Sequence, residues 1–316
     1  MTSTVFTLFM PLALALVMFG LGLTLTVADF TRVLRYPKAA AVALTCQLVV
    51  LPALCFGLVL LFDLPAALAV GMMILVAAPG GITANLFSHL AGGDVALNIT
   101  LTAINSLLSA FTLPAVVALA TWRFMGDQAS IGLQGGKLVQ VFAIVLIPVA
   151  IGVWTRHRFS AWADRMDKPV KIVSASVLVL VIAAAVMQAW GVIVANVGSL
   201  GGIALLLSTL SLTVGYLVPR LFRVNRRQAI ASAMEIGIHN VTVAIIVAVS
   251  VIGNEVMAAP AAVYGVLMYV PAAIVAYLLS RRAEPIVAPA PTRGLVPEGA
   301  GHSPAATEPV ASPLHP

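Results

Sequence analysis

The sequence predicts an all-α membrane protein whose chain crosses the bilayer many times. Hydrophobic residues make up 61% of the 316 residues and charged residues only 9%, far below the roughly 25% that is usual in soluble domains. The mean hydropathy is +1.08, and long apolar runs recur along the whole chain. So few charges cannot solvate a globular surface, and lipid must therefore surround most of this protein.

Nine apolar stretches are long enough to span a membrane, since a spanning helix needs about 20 mostly apolar residues. The predicted spans are 4–27, 39–62, 66–90, 95–121, 138–155, 170–192, 199–219, 228–252 and 257–280. The first run is too long for a signal-peptide core and has no basic region before it, so we expect a retained helix. Residues 1–282 are accordingly predicted to form one transmembrane domain.

The distribution of Lys and Arg predicts the orientation of the chain. These residues concentrate in cytoplasmic loops of membrane proteins, and here they follow the first, fifth, seventh and ninth spans. The N-terminus is therefore predicted outside and the C-terminus in the cytoplasm, with the protein in the plasma (inner) membrane. The tail 283–316 is rich in Pro, Ala, Gly and Ser, which predicts a disordered cytoplasmic extension.

The basic balance and the cysteines do not indicate nucleic-acid binding or metal chemistry. The net charge of +6 has its ordinary cause in cytoplasmic loops, and no nucleic-acid partner is expected. Cys46 and Cys55 lie nine residues apart in one apolar run. That spacing fits neither a zinc site nor a disulfide framework, and it predicts two small residues that pack inside a helix.

One acidic residue of the 11, Glu235, falls inside a predicted span. Ionisable groups inside a membrane are costly and mark functional sites. No Lys or Arg lies near Glu235 in the sequence, so we expect a mobile cation to supply the missing charge. His239 follows four residues later on the same helix face, and Asn240 comes next. Gly237, between Glu235 and His239, loosens the helix, so the eighth predicted span is interrupted here. A protonated glutamic acid that only joins helices is the alternative interpretation.

The third predicted span contains a matching irregularity. Pro79 removes a helical hydrogen bond, and Gly80 and Gly81 favour no helix. A break here frees carbonyls for a cation and exposes a helix N-terminus that favours an anion. Two interrupted helices, one in each half of the chain, are typical of a midplane site between inverted repeats. The fourth span adds a polar stripe of possible oxygen ligands for a hard cation: Asn98, Thr102, Asn105, Ser106 and Ser109.

Four stretches of this sequence resemble the bile acid:sodium symporter family, from about Met18 to the end of the ninth span. They are MFGLGLTL at 18–25, QLVVLP at 47–52, PGGITAN at 79–85 with GDVAL at 93–97, and EIGIHN at 235–240. The resemblance implies a core domain and a panel domain. It also implies inverted repeats, with two broken helices that cross in the core. Members with ten helices have an extra N-terminal span that the nine predicted spans lack, so the first repeat would have four helices and the second five.

The resemblance also implies which residues form the sites. The first sodium site would use Asn85, Asn98, Thr102 and Glu235. The second would use Gln47, Glu235, the backbone carbonyls of Ile236 and Ile238, and His239 at the last ligand position. A small organic anion would bind in the crevice between the two domains, near Thr83 and Asn240.

Two residues depart from the family's pattern. Ala84 stands where Ser is frequent, and His239 stands where Gln is usual. An imidazole nitrogen is a poor sodium ligand, and histidine titrates near neutral pH. We therefore expect sodium-coupled symport of a bile-acid-like anion or small carboxylate by alternating access, with proton coupling through Glu235 and His239 as the alternative.

Other classes of protein fit the sequence less well. An enzyme is not expected, because one buried acid and one histidine do not make a catalytic cluster. A pore or sensor would need a ring of charges, which a single Glu on one span does not supply. No organic cofactor is expected, and Na+ would act as the coupling ion.

Overall fold

The computed structural model describes residues 2–126 and 135–281, and within these ranges the protein is helical and has no β-strand. The α-helices are α1 (Thr2–Thr24), α2 (Val27–Arg32), α3 (Pro37–Thr45), α4 (Leu51–Leu61), α5 (Ala66–Ala77), α6 (Ile82–Leu90), α7 (Val95–Met125), α8 (Gly135–Arg158), α9 (Ser160–Gln188), α10 (Trp190–Ala195), α11 (Val197–Leu221), α12 (Arg226–Gly237), α13 (Val241–Ile246), α14 (Ala259–Leu267) and α15 (Tyr269–Ser280). Short 3-10 segments lie at Val33–Arg35 and Glu255–Ala258, and π-helical segments at Cys46–Val50 and Val247–Ile252. Helices occupy each of the nine predicted apolar ranges. The tail predicted from residue 283 lies outside the described residues.

Several helices are able to cross a membrane by their length and composition. In the described part of the chain, four continuous helices meet this condition: Pro37–Leu61, Lys168–Gln188, Val197–Leu221 and Glu255–Ser280. Helix α7 is a fifth if its two halves, Val95–Ser109 and Phe111–Met125, count as one span despite an angle of 55° between them. The bend has a local cause, because the ring of Pro114 clashes with the carbonyl four residues earlier. The count of nine spans stays a prediction.

The connection between α8 and α9 differs from the loop that the sequence predicts. The predicted spans end at 155 and begin again at 170, whereas α8 continues to Arg158 and α9 begins at Ser160. Arg156 Nη1 and Asp164 Oδ1 form an ion pair of 2.6 Å between the two helices. Charged side chains do not interrupt a helix that extends beyond the apolar layer, because water and ion pairs satisfy them there. The basic segment is therefore mostly helical rather than a loop.

The broken helices occupy the most deeply buried part of the fold. Every residue from Leu68 to Ala77 in α5 is buried, as is every residue from Ala229 to Gly237 in α12 and every residue of α13. Helix α12 packs against α6, α7 and α11, and α5 packs against α7. Helices that are buried on all sides belong to the interior of a protein, so both interruptions lie in the interior of the helical assembly.

Helices α1, α8 and α9 pack on one another, and α1 and α8 approach especially closely. A methyl group on Gly22 would overlap the backbone of Val149 and Gly152, and one on Gly152 would overlap the backbone of Phe19 and Gly22. Small residues that allow two backbones to approach are a frequent basis of helix packing in membranes. The two glycines thus fix the contact between α1 and α8.

Candidate functional site

The first predicted interruption is confirmed between α5 and α6. Helix α5 ends at Ala77 because Ala78 adopts an extended conformation with φ −69° and ψ 144°, and Pro79 has no amide hydrogen to continue the helix. Gly81 is also extended, with φ −102° and ψ 170°, and α6 begins at the next residue.

The second predicted interruption is confirmed between α12 and α13. Helix α12 ends at Gly237, and Ile238 is outside the helical region with φ −119° and ψ 96°. Asn240 caps α13, since its Oδ1 accepts a hydrogen bond of 3.4 Å from the amide of Val243. Asn at this position stabilises a helix start because it satisfies an amide without an intrahelical partner.

The two interruptions cross and hydrogen-bond to each other. Gly80 and His239 form an isolated antiparallel β-bridge. The Gly81 amide donates to the Ile238 carbonyl at 3.3 Å, and the Asn240 amide donates to the Pro79 carbonyl at 2.8 Å. Backbone groups that a helix break leaves unpaired inside a membrane must find partners, and here each broken helix supplies partners for the other.

Glu235 lies beside this crossing with no exposed surface. Its Oε2 accepts hydrogen bonds from Asn98 Nδ2 at 2.8 Å and from Thr102 Oγ1 at 2.6 Å. Its Oε1 accepts one from Asn105 Nδ2 at 3.0 Å. The three donors lie on one face of α7 because they are spaced by four and three residues. A methyl group on Gly80 would overlap the carboxylate, so Gly is required there.

These three donors are an amide, a hydroxyl and a second amide, and none of them carries a charge. A buried carboxylate without a charged partner is costly, and it becomes electrically neutral only by binding a proton or a cation. The arrangement stabilises a negative group by hydrogen bonds while its charge stays available to a positive ion.

Several buried amide oxygens around the crossing accept no hydrogen bond from the residues that the structure describes. They are Gln47 Oε1, Asn85 Oδ1, Asn98 Oδ1 and Asn105 Oδ1. The amide nitrogens of Asn98 and Asn105 donate to Glu235, which explains why their oxygens point elsewhere. Buried acceptors without partners are rare and costly. Oxygen atoms of this kind suit a hard cation.

Gln47 reaches the first interruption from the span that contains α3 and α4. It lies in the π-helical segment Cys46–Val50, and such segments are frequent at functional sites. Its Nε2 donates to the carbonyls of Val76 at 3.3 Å and Ala78 at 3.5 Å. These carbonyls belong to the end of α5, so Gln47 holds the chain where the helix stops.

His239 lies at the second interruption and is 1% exposed. Neither ring nitrogen makes a hydrogen bond of normal geometry within the described residues, although the Ala78 carbonyl lies near the ring. The centroid of the Tyr264 ring is 5.5 Å away. Tyr264 Oη donates to the Gly237 carbonyl at 3.0 Å, which pairs the last residue of α12.

Thr83 and Asn240, the predicted substrate residues, come together beside Gly81. A methyl group on Gly81 would lie 3.5 Å from Thr83 Oγ1 and 3.9 Å from Asn240 Cα. Both residues are partly exposed, and they stand at the first turns of α6 and α13. Amides at helix N-termini favour anions, so this position is chemically suited to a carboxylate.

The structure groups most of the predicted site residues and adds others. It joins Glu235 to Asn98 and Thr102 by hydrogen bonds, whereas no hydrogen bond links Asn85 to this cluster in the described residues. Ile236 and Ile238 lie fully buried at the end of α12. The predicted site omits Asn105, although its position seven residues after Asn98 places it on the same helix face.

Comparison with known proteins identifies the family of this chain. Residues 11–196, more than half of the sequence, match the family model described as the Sodium Bile acid symporter family. The chain belongs to this family, whose members are sodium-dependent transporters of the membrane.

Individual relatives give the same result. The chain is 26% identical to the uncharacterized sodium-dependent transporter YocS of Bacillus subtilis over 73% of this chain and 71% of that protein. It is 34% identical to human sodium/bile acid cotransporter 4 over 51% of this chain and 37% of that protein. It is 25% identical to the probable sodium/metabolite cotransporter BASS2, chloroplastic, of Oryza sativa over 81% of this chain and 60% of that protein. The aligned part therefore covers less than two thirds of the human and rice proteins.

Proposed function

We propose that this protein is a sodium-coupled symporter that carries a small organic anion by alternating access. The observation that supports it best is the fully buried carboxylate of Glu235 at the crossing of two broken helices. Within the described residues its hydrogen-bond donors are all neutral. Sodium would supply the missing charge. The names of relatives refer to sodium together with bile acids or metabolites, which supports an organic substrate.

The first sodium site in this proposal uses Glu235, Asn85, Asn98 and Thr102. The Thr102 hydroxyl keeps a lone pair free for a cation while it donates to the carboxylate. Rotation of the Asn98 amide would exchange its nitrogen for its oxygen, so that a hydrogen bond to Glu235 becomes a ligand to sodium. Asn105 can make the same exchange on the other carboxylate oxygen, and we add it to the proposed ligands.

The second sodium site uses Gln47, Glu235 and the carbonyls of Ile236 and Ile238, with His239 at its edge. Gln47 Oε1 is buried and has no hydrogen-bond partner, so it is available as a ligand. The imidazole of His239 is a poorer ligand than an amide oxygen. We therefore propose that sodium binds more weakly here than beside Asn98 and Thr102.

The substrate anion would bind at Thr83 and Asn240, where the first turns of α6 and α13 meet. Sodium on the other side of the crossing would hold the two broken helices together and fix these helix starts in position. We propose that α1, α8 and α9 form the panel domain and that the other long helices form the core, in nine spans. The N-terminus would be outside, the C-terminus in the cytoplasm, and the bilayer the plasma (inner) membrane.

Uptake into proteoliposomes tests this function. Purified protein is reconstituted, and labelled organic anions that include a bile acid and a small monocarboxylate are offered with an inward sodium or potassium gradient. We expect sodium-specific uptake that Glu235→Gln abolishes. Glu255→Gln is the matched control, because Glu255 is exposed in a short 3-10 segment, and it should keep full activity.

The contrary results are also defined. Normal sodium-driven uptake by Glu235→Gln would refute the proposed role of the carboxylate. Uptake driven by an inward proton gradient without sodium, and lost in His239→Gln, would support proton coupling instead. The absence of uptake for every anion under either gradient would contradict the proposed transport of these substrate classes.

A further inference from the structure

An open groove runs between the first half of α7 and the second half of α8. Its volume is about 360 Å³, which is within the range of about 300–1,000 Å³ that is usual for ligand sites. Apart from one histidine, the residues that line it are aliphatic or aromatic, and they include Ala103, Leu107, Leu146, Ala150, Val153 and His157. None of the lining residues is a proposed ligand of sodium or of the substrate anion, so the groove is separate from the sites described above.

The groove follows one face of α8 and has the length of one membrane leaflet. Its lining residues on α8 recur at positions three and four apart, which places them in a single row. From Leu146 to His157 the helix advances by roughly 16 Å, at about 1.5 Å per residue. This length is about half of the roughly 30 Å hydrocarbon core of a bilayer. Leu107 and Trp154 are 45% and 60% exposed, so the groove is open to lipid along its side.

The end of the groove is aromatic and basic. The rings of Trp154 and Phe159 meet edge to face with their centroids 6.1 Å apart, and the Arg158 guanidinium lies 5.5 Å from the centroid of the Phe159 ring. Tryptophan is enriched where a membrane meets water. Arg156 pairs with Asp164, whereas Arg158 forms no ion pair with a carboxylate in the part of the chain that the structure describes. The charge of Arg158 is therefore available to an anion at the membrane surface.

An apolar groove one leaflet long that ends at a basic and aromatic cluster matches the shape and charge of an anionic phospholipid. We propose that the groove between α7 and α8 binds one such lipid. One acyl chain fills the groove, and the phosphate of the head group contacts Arg158 and the imidazole N–H of His157. In the orientation proposed above, this end of α8 is on the cytoplasmic side, where basic pockets between membrane helices bind anionic head groups.

Native mass spectrometry of the purified, delipidated full-length protein in detergent tests the proposal, with phosphatidylglycerol and phosphatidylcholine as the probes. We expect the wild type to bind one phosphatidylglycerol about fivefold more tightly than one phosphatidylcholine, which is the contribution of one basic residue at a membrane surface. Arg158→Gln should remove this preference. The matched control is Arg281→Gln, because Arg281 is also exposed at the end of a helix and its guanidinium lies over an aromatic ring.

The position of the acyl chain is tested by Ala150→Phe. Ala150 is exposed in the groove, so the larger side chain occupies the groove without overpacking the interior. It should weaken the binding of phosphatidylglycerol at least tenfold. The matched control is Ala273→Phe in α15, because Ala273 is exposed and lies outside the groove. Melting temperatures equal to that of the wild type verify that both variants are folded, and the head-group preference of the wild type is measured independently of them.

The possible outcomes decide between three occupants. A preference for phosphatidylglycerol that is lost in Arg158→Gln, together with weaker binding in Ala150→Phe and unchanged controls, supports the proposal. Equal binding of the two lipids by the wild type, or equal binding by the wild type and Ala150→Phe, overturns it and indicates the ordinary lipid shell alone. A wild-type dimer that becomes a monomer in Ala150→Phe assigns the groove to a second copy of this chain and also overturns it. None of these results depends on sodium or on uptake, so this proposal and the proposed function can fail separately.

Discussion

The replacement Gly80→Ala provides the sharpest test of the crossing geometry. Gly80 passes so close to Glu235 that an added methyl group would overlap all three atoms of the carboxylate group. The neighbouring Gly81 differs, because a methyl group there would be in ordinary contact, 3.5 Å from Thr83 Oγ1. The backbone of Gly81, with φ −102° and ψ 170°, is also allowed for Ala. Two adjacent glycines of one motif are therefore expected to respond in opposite ways.

The expected magnitudes follow from these contacts. In Gly80→Ala either the carboxylate or the crossing must move, and overpacking of a buried site costs about 1–3 kcal/mol. Movement of Glu235 also breaks its alignment with Asn98 and Thr102, so sodium affinity should fall at least about tenfold, which equals about 1.4 kcal/mol. Gly81→Ala creates no clash and restricts the unfolded chain, which predicts a change between zero and a gain of about 1 kcal/mol.

Thermal unfolding in detergent, followed at one scan rate in sodium and in potassium, measures both effects. Ligands that bind only the folded protein raise its apparent melting temperature. Wild type and Gly81→Ala should show the same rise in sodium, whereas Gly80→Ala should melt lower and lose the rise. Gly57→Ala in α4 controls for the substitution itself, because a methyl group there has no neighbour within 4 Å. A normal sodium response in Gly80→Ala would refute the proposed closeness of Gly80 and the cation-binding carboxylate.

Three further predictions use the same unfolding assay. Tyr264→Phe leaves the Gly237 carbonyl at the end of α12 without its hydrogen-bond donor and should lower the free energy of unfolding by about 1 kcal/mol. Tyr277→Phe is the control, because its ring is exposed, and it should change that free energy by less than about 0.5 kcal/mol. Asp94→Ala removes the carboxylate that caps α7 at 3.1 Å and should cost about 1 kcal/mol, unless water replaces the cap, which an unchanged melting temperature would show. Gly152→Ala places a methyl group against the backbone of α1 and should destabilise the protein by about 1–3 kcal/mol. Gly191→Ala is the control, because its added methyl group meets no neighbour. Equal melting temperatures of the two variants would contradict the close contact between α1 and α8.

The interruptions could be predicted because their causes are local. Proline cannot donate a backbone hydrogen bond wherever it stands. The two glycines that follow Pro79 have little preference for helical backbone angles, so the helix does not continue through them. The same holds for Glu235 as the acid inside an apolar span, since the apolar run around it can be read from the sequence and a charge in such surroundings is costly. Periodicity on one helix face then brings Asn98 and Thr102 together before any tertiary contact is known.

Other features depend on contacts between distant parts of the chain and could not be predicted. Asn105 stands in the same polar stripe as Ser106, and the stripe alone does not show which of them faces Glu235, 130 residues away. The hydrogen bond from Tyr264 to the end of α12 is likewise tertiary. The π-helical segment at Gln47 has a local cause, because Pro52 clashes with the carbonyl of Leu48 inside it. The contact of Gln47 with two carbonyls of α5 is tertiary and has no such local cause.

The hydrogen-bond arrangement explains why a transporter of this kind can use neutral side chains around one acid. A permanent ion pair with Lys or Arg would satisfy Glu235 and leave no charge for a mobile cation, whereas an acid without donors would be too costly to bury. Three neutral donors on α7 solve both problems. In the proposed mechanism the Asn98 and Asn105 amides turn toward the cation, so an ion at Glu235 would also give their unpartnered oxygens a partner. The affinity for sodium and the closure of the crossing are then set by the same atoms, which is the physical basis for coupling in the proposed mechanism.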